Sequence, residues 1–176
     1  MKLIQTIHQY DVVMFNWFMG CRPVSRCARV SRWISRTGDG YLYLLIGLYC
    51  YGYRSELPAA SLFLSCAMAA FAIERSCYLL LKQGFRRGRP QQALPNFRSL
   101  IVPSDRFSFP SGHTSAAFLM ATLLGYFCPV LLWPGYLWAG LVGLSRISLG
   151  VHFPTDVLVG MTMGITVAAV SLRVLG

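Results

Sequence analysis

Apolar positions along this chain gather into long runs, separated by short polar and mostly basic segments. Phe107 to Ser145 contains no Lys, Arg, Asp or Glu. Runs of this kind predict helices in an apolar surrounding, because a helix satisfies its own backbone polar groups. Five spans are expected. The first, Gly40–Tyr53, is uncharged and aromatic, and needs its flanks to cross about 30 Å of hydrocarbon. After a turn at 54–58, the second runs from about Leu57 to Leu81 and carries Glu74 and Arg75 inside it. Residues 82–110 form a basic loop punctuated by Pro and Gly. The uncharged stretch that follows divides near Cys128-Pro129 into a third span, about 111–127, and a fourth, about 130–147. A polar turn at 148–155 leads into the fifth, about Asp156 to Leu175.

The N-terminal part reads differently. Residues 1–20 mix apolar positions with His8, Gln9 and Asp11 and are too polar for a span. Arg22, Arg26, Arg29, Arg32 and Arg36 recur every three or four positions with Val30, Trp33 and Ile34 between them. That is helical spacing with a basic and an apolar face, and predicts a helix lying in the membrane interface. Trp17, Trp33, Tyr41 and Tyr43 fit an interfacial aromatic belt. No apolar core followed by a small-residue cleavage site is present, so no removable signal peptide is expected.

Composition agrees with the pattern. Of 176 residues, 55% are hydrophobic and only 12% charged, against about 25% charged in soluble domains. The expected fold is an all-α, polytopic membrane helix bundle of about five transmembrane spans plus N-terminal amphipathic interfacial helices. The net charge is +10, and a second basic group comprises Lys82, Arg86, Arg87, Arg89, Arg98 and Arg106. In so apolar a chain the expected partners are a bilayer with anionic lipids and a phosphorylated substrate, with no nucleic acid. Six cysteines (21, 27, 50, 66, 77 and 128) show no metal-ligand spacing and read as small buried hydrophobes.

With five spans, the loop 82–110 and the turn 146–155 fall on one side of the membrane, so the unusual polar residues gather at one face. Lys82 and Arg89 come from the first segment, Ser111, Gly112 and His113 from the head of the third span, and Arg146, His152 and Asp156 from the last turn. A phosphoryl ligand gives each a task. Cations and oriented N–H groups stabilise charge on phosphoryl oxygens. A helix N-terminus beginning at Ser111-Gly112 offers free backbone donors and the positive end of the dipole. Asp156, four residues after His152, is placed to hold one imidazole nitrogen and leave the other free to attack phosphorus. His113 is then available to protonate the departing alkoxide. Glu74, roughly on the Lys82 face, either supports the site or makes a polar contact between helices. Arg86, Arg87 and Arg106 either reach a second phosphate or a headgroup or, as the simpler expectation, form a solvated rim facing anionic lipid.

Lys82-x6-Arg89-Pro90, Pro110-Ser111-Gly112-His113 and Ser145-Arg146-x5-His152-x3-Asp156 together resemble the three-part signature of the type-2 phosphatidic acid phosphatase superfamily. That superfamily also includes bacterial polyprenyl-diphosphate phosphatases and vanadium-dependent haloperoxidases. The resemblance implies a multi-pass enzyme of a bacterial-type plasma (inner) membrane that hydrolyses a lipid phosphate through a phosphohistidine, with no cofactor and no metal. His152 would be the nucleophile, Asp156 its orienter and His113 the general acid. Lys82, Arg89, Ser111, Gly112 and Arg146 would hold the phosphate. Chain length and the N-terminal pattern lead to the expectation of a single membrane phosphatase domain over 1–176, with 1–37 an interfacial amphipathic region and 38–176 the transmembrane catalytic bundle. Family members often have six spans, whereas five are counted here.

Undecaprenyl diphosphate, phosphatidylglycerophosphate and phosphatidate are the candidate substrates. Lipid phosphotransfer through the same intermediate is the alternative, and a non-enzymatic lipid-binding protein would need no ordered His–Asp pair. Sidedness divides the argument. The Lys and Arg excess on the active-site side favours the cytoplasm, whereas the resemblance favours the outer face.

Overall fold

The structure is a computed structural model that describes residues 2–20, 24–103 and 105–176, without side chains at 2–5 and 24–27. The side chains of Cys21, Arg22, Arg26 and Cys27 therefore lie outside the described residues. All regular structure among the described residues is helical: α1 (Lys2–Gly20), α2 (Val24–Thr37), α3 (Tyr41–Gly52), α4 (Pro58–Phe85), the short α5 (Pro90–Ala93), α6 (Gly112–Phe127), α7 (Leu132–Ser148) and α8 (Pro154–Leu175). A single 3-10 turn, Pro129–Leu131, separates α6 from α7. Three helical stretches, Pro58–Ala93, Pro129–Ser148 and Pro154–Leu175, are long and apolar enough to cross a membrane. The other two expected spans are short. With 12 and 16 residues, α3 and α6 extend about 18 Å and about 24 Å, less than the hydrocarbon thickness.

Helix α6 sits at the centre and packs against α4, α7 and α8. Nine of its residues are buried, among them Ala117, Phe118, Leu119, Met120, Ala121 and Leu123, so it has no single apolar stripe. Its neighbours do have stripes. On α4 the buried positions are Phe63, Cys66, Ala70, Glu74, Tyr78 and Lys82, spaced at three and four residues along one face. The stripe is apolar at the start of the helix and turns polar towards Lys82. One core joins Phe63, Cys66 and Ala70 to Leu119, Met120, Leu123, Val167, Ala168 and Leu172. A second packs Ala117, Phe118 and Ala121 on Ala139 and Val142 of α7.

The contact of α6 with α8 is set by glycine. A Cβ at Gly160 would lie 2.6 Å from the Ser111 carbonyl oxygen, and one at Gly164 would lie 2.2 Å from that of Ser115. Glycines four apart on one face let two backbones approach closely, the small-residue geometry of membrane helix pairs. That approach also lets the Ser111 N–H donate to the Asp156 carbonyl oxygen at 3.0 Å. It brings the start of α6 against the start of α8. Gly164→Ala is expected to part the two helices and cost about 1–3 kcal/mol, read as a fall in thermal midpoint in detergent; an unchanged midpoint would mean that the contact is looser than this.

The two N-terminal helices are docked on the bundle rather than merely lying beside it. From α1, Asp11 and Phe15 are buried, with Phe15 packed on Ile147 and Phe153, while Tyr10, Val13, Met14 and Trp17 face outwards. Helix α2 packs on α7. Among its described side chains the buried ones are Ser31 and Ser35, while Val30 and Trp33, expected on its apolar face, are exposed. Small serines one turn apart let α2 approach α7, and Trp138 Nε1 donates to Thr37 Oγ1 at 2.8 Å.

Candidate active site

Four chain segments meet at one end of the bundle: the end of α4 with the following loop, the start of α6, the end of α7, and the 149–153 turn leading into α8. Backbone hydrogen bonds pin them together. Leu100 N–H donates to Leu149 O at 3.0 Å, and Ser108 N–H to Arg87 O at 2.9 Å. Arg89 Nη1 donates to Val151 O at 2.6 Å. The segments line a cavity of about 880 Å3 that includes Lys82, Arg89, Gly112, His113, Arg146 and His152.

Each side chain has a local reason for its place. Lys82 occupies the last turn of α4, where a cation complements the helix dipole. Arg146 does the same on α7 and is buried; its Nη1 donates to Ser35 Oγ at 2.6 Å, while its buried Nε has no hydrogen-bond partner. Pro154 opens α8, as a proline at the first helical position can. His152 stands just before it, with Nδ1 3.7 Å from Asp156 Oδ2, an electrostatic contact beyond hydrogen-bond range. Asp156 Oδ2 also accepts the Phe153 N–H at 2.8 Å. Burial pushes the His152 imidazole down to about 4, with Asp156 opposing and Arg146 and Arg89 adding to the shift, so the ring is neutral at ordinary pH.

Ser111 is the N-cap of α6, as the sequence leads one to expect, but its hydroxyl makes no capping bond. Its Oγ pairs with Thr114 Oγ1 at 2.8 Å, and its N–H goes to Asp156 O. The hydroxyl and the N–H are both engaged within the protein, and Ser111 is not among the residues lining the cavity. Gly112 and His113 do line it.

Several residues of the site escape a reading by motif. Asp105 is the one acid in the loop 82–110, and it joins the cations. Its Oδ2 lies 2.8 Å from Lys82 Nζ, and its Oδ1 lies 2.6 Å from Arg89 Nη2. Tyr78 donates its hydroxyl to Oδ2 at 2.7 Å, and the Lys82 ammonium also contacts that hydroxyl. Burial opposes ionisation of Asp105, yet donation from Lys82, Tyr78 and Arg89 holds its carboxyl well below the usual carboxylate range. Asp39, just after α2, accepts from His113 Nε2 at 2.8 Å. Glu74 is buried and lines the same cavity as Lys82.

Arg87 departs most from expectation. It is not part of a solvated rim: Nη1 donates to Asp156 Oδ1 and to Thr155 Oγ1, both at 2.8 Å, and Nη2 donates to Asp11 Oδ2 at 2.6 Å. Asp11 in turn accepts the Thr155 N–H at 3.0 Å and the Thr155 hydroxyl. Two fully buried carboxylates thus share one guanidinium, and α1 is tied to the first turn of α8. Only the polar residues in an otherwise amphipathic stretch signal this in the sequence. Removing the shared cation leaves both carboxylates buried and unpaired, a loss of about 3–5 kcal/mol. Arg87→Ala is expected to show that loss in chemical denaturation in detergent, with Arg87→Lys recovering only part because it cannot bridge both acids; full stability of Arg87→Ala would mean that the network carries little.

Comparison with known proteins places this arrangement. The PAP2 superfamily profile matches residues 58–176, from α4 to the end and including all three segments of the signature. The chain belongs to the PAP2 superfamily. It is 35% identical to phosphatidylglycerophosphatase B of Bacillus subtilis over 135 residues, covering 70% of this chain and 61% of that one. It is 38% identical to decaprenylphosphoryl-5-phosphoribose phosphatase of Mycobacterium tuberculosis over 108 residues, 59% of this chain and 56% of that one. The chain thus spans less than two thirds of the length of these relatives. Among solved structures, Aquifex aeolicus LpxE superposes with a TM-score of 0.79 at 29% identity, covering 92% of this chain and 94% of that one. A transmembrane PAP2-type phosphatidylglycerolphosphate phosphatase from Bacillus subtilis gives 0.77 at 26% identity, covering 96% and 86%. This PAP2 chain is an integral-membrane helical protein homologous to bacterial transmembrane members. Asp11 and Asp39 lie outside the matched residues 58–176, although they reach the signature side chains.

Proposed function

We propose that this PAP2 chain is a metal-independent lipid-phosphate phosphatase that works through a phosphohistidine. The observation that carries the reading is a neutral, buried His152 backed by Asp156 at the wall of a cavity that also holds Lys82, Arg89, Arg146 and His113. In this account the three cations and the N–H groups at the start of α6 hold the phosphoryl oxygens, and Ser111 fixes that turn against α8. His152 Nε2 attacks phosphorus while Asp156 steadies Nδ1 and stabilises the positive charge that develops on the ring. His113, held by the Asp39 carboxylate at 2.8 Å, protonates the leaving oxygen. The P–O bond to the lipid breaks as the P–N bond forms. Water, deprotonated by His113 in the reverse role, then releases inorganic phosphate.

Within this account α3 and α6 complete five spans with α4, α7 and α8, residues 38–176 form the catalytic bundle, and 1–37 dock at its interfacial edge. The substrate class is a phosphomonoester or diphosphate on a membrane lipid, as in phosphatidylglycerophosphate, phosphatidate or undecaprenyl diphosphate. The test is phosphate release from these three lipids by the detergent-purified protein in EDTA. Release that survives EDTA supports the reading. Release that requires a divalent cation contradicts it, and transfer of the phosphoryl group to an added alcohol without any hydrolysis would make the protein a phosphotransferase.

A further inference from the structure

The cavity does not end at the phosphate-binding cations. It continues along α4, where Leu79, Arg75 and Phe71 line it below Lys82. Arg75 is seven residues before Lys82, two turns or about 10 Å along the helix and close to the same face. Its guanidinium lies 5.0 Å from the Tyr78 ring, so it leans towards the Lys82 end. Arg75 is exposed, and no described carboxylate forms an ion pair with it. Glu74, buried in the same cavity, acts on Arg75 electrostatically without an ion pair, and an exposed arginine inside a span is expensive unless it serves a pathway or a ligand.

Lipid chemistry says what an anion at that depth would be. In a lipid phosphorylated on its headgroup, the phosphodiester linking headgroup to lipid lies between the terminal phosphate and the tails. In a polyprenyl diphosphate, the phosphate nearer the lipid holds the same place. Along α4 the order is Lys82, then Tyr78, then Arg75 with Glu74 beside it, then Phe71, which runs from terminal phosphate through a second cation to an apolar wall. We infer that Arg75 binds the second, lipid-proximal phosphate and so selects substrates bearing two phosphates over those bearing one. This rests on the phosphatase reading above and names its substrate class.

The experiment compares kcat/KM for phosphatidate, with one phosphate, against phosphatidylglycerophosphate and undecaprenyl diphosphate, with two. It is run in neutral detergent without other anionic lipid, so that only the substrate can supply the second anion. Arg75→Gln is expected to lower the two-phosphate to one-phosphate ratio about tenfold or more, the scale of one charge-assisted contact. Arg75→Lys, which keeps the charge but loses the fork, is expected to fall between, and it carries the comparison alone if Arg75→Gln does not fold. An unchanged ratio, or an equal loss on all three lipids, overturns the inference while leaving the phosphatase reading intact. A drop that appears only when phosphatidylglycerol is added overturns it too, because the bound anion would then be bulk lipid. If the wild type hydrolyses none of the three, the phosphatase reading fails and this inference with it.

Discussion

His152→Ala is expected to abolish phosphate release, by about 10^4 to 10^6-fold in kcat, the scale on which loss of a nucleophile falls. The ring is nearly sealed at the cavity wall, with 2% of its surface exposed, and alanine puts no nucleophile in its place. The fold should survive, since the carboxylates keep their shared guanidinium. A thermal midpoint close to wild type with no turnover is the expected pair of results, and turnover within tenfold of wild type would remove His152 from the chemistry. The same ring sets a pH dependence. Burial holds it at about 4, below the usual value near 6.5. The neutral, attacking form therefore persists as pH falls through 6 and 5 and is lost only on approach to 4. Corrected for ionisation of the substrate phosphate, kcat/KM should fall near pH 4; a fall centred near 6.5 would mean that the histidine is solvated in the working enzyme.

His113→Gln has the second largest expected effect, and its size should depend on the substrate. Loss of a general acid costs about 10^2 to 10^4-fold where the leaving group is an alkoxide, which cannot depart unprotonated. When the leaving group is itself a phosphate, as from a polyprenyl diphosphate, it departs readily as an anion and needs no proton. In the first, phosphoenzyme-forming step the variant should therefore fail on phosphatidate and phosphatidylglycerophosphate but retain most of its rate on undecaprenyl diphosphate, while the activation of water in the second step is lost for every substrate. Equal losses on both kinds of substrate in that first step would assign His113 to binding instead. Asp39 enters the same comparison. Its carboxylate, 2.8 Å from Nε2, fixes the orientation of the ring.

Much of this was legible from hydropathy and spacing. The helix bounds Tyr41–Gly52, Gly112–Phe127, Leu132–Ser148 and Pro154–Leu175 fall within a few residues of the apolar runs, because apolar length and the Pro and Gly breaks decide them. Lys82, Arg89, Gly112, His113, Arg146 and His152 come to one cavity because an even number of long helices, none or two, separates any two signature segments, which returns each to the same end. What spacing did not reveal depends on packing between distant segments. Nothing in the spacing singles out residues 31 and 35, yet they are buried, because α7 accepts small side chains there. Arg87 reads as one more rim arginine until α1 brings Asp11 against it, 76 residues away in sequence. Asp105 and Asp39 are single acids in basic or neutral stretches, and no periodicity marks them. Glycines 160 and 164 read as tolerated small residues, and only the backbone of α6 beside them gives the reason.

The most direct test of the central claim is rapid-quench labelling in EDTA with a lipid substrate carrying radioactive phosphate at its terminal position. The account predicts label on the protein within the first turnover, stable to alkali and lost in acid as expected of a phosphoramidate, and absent from His152→Ala. Hydrolysis proceeding with no labelled protein, or label of the same stability persisting in His152→Ala, would contradict it.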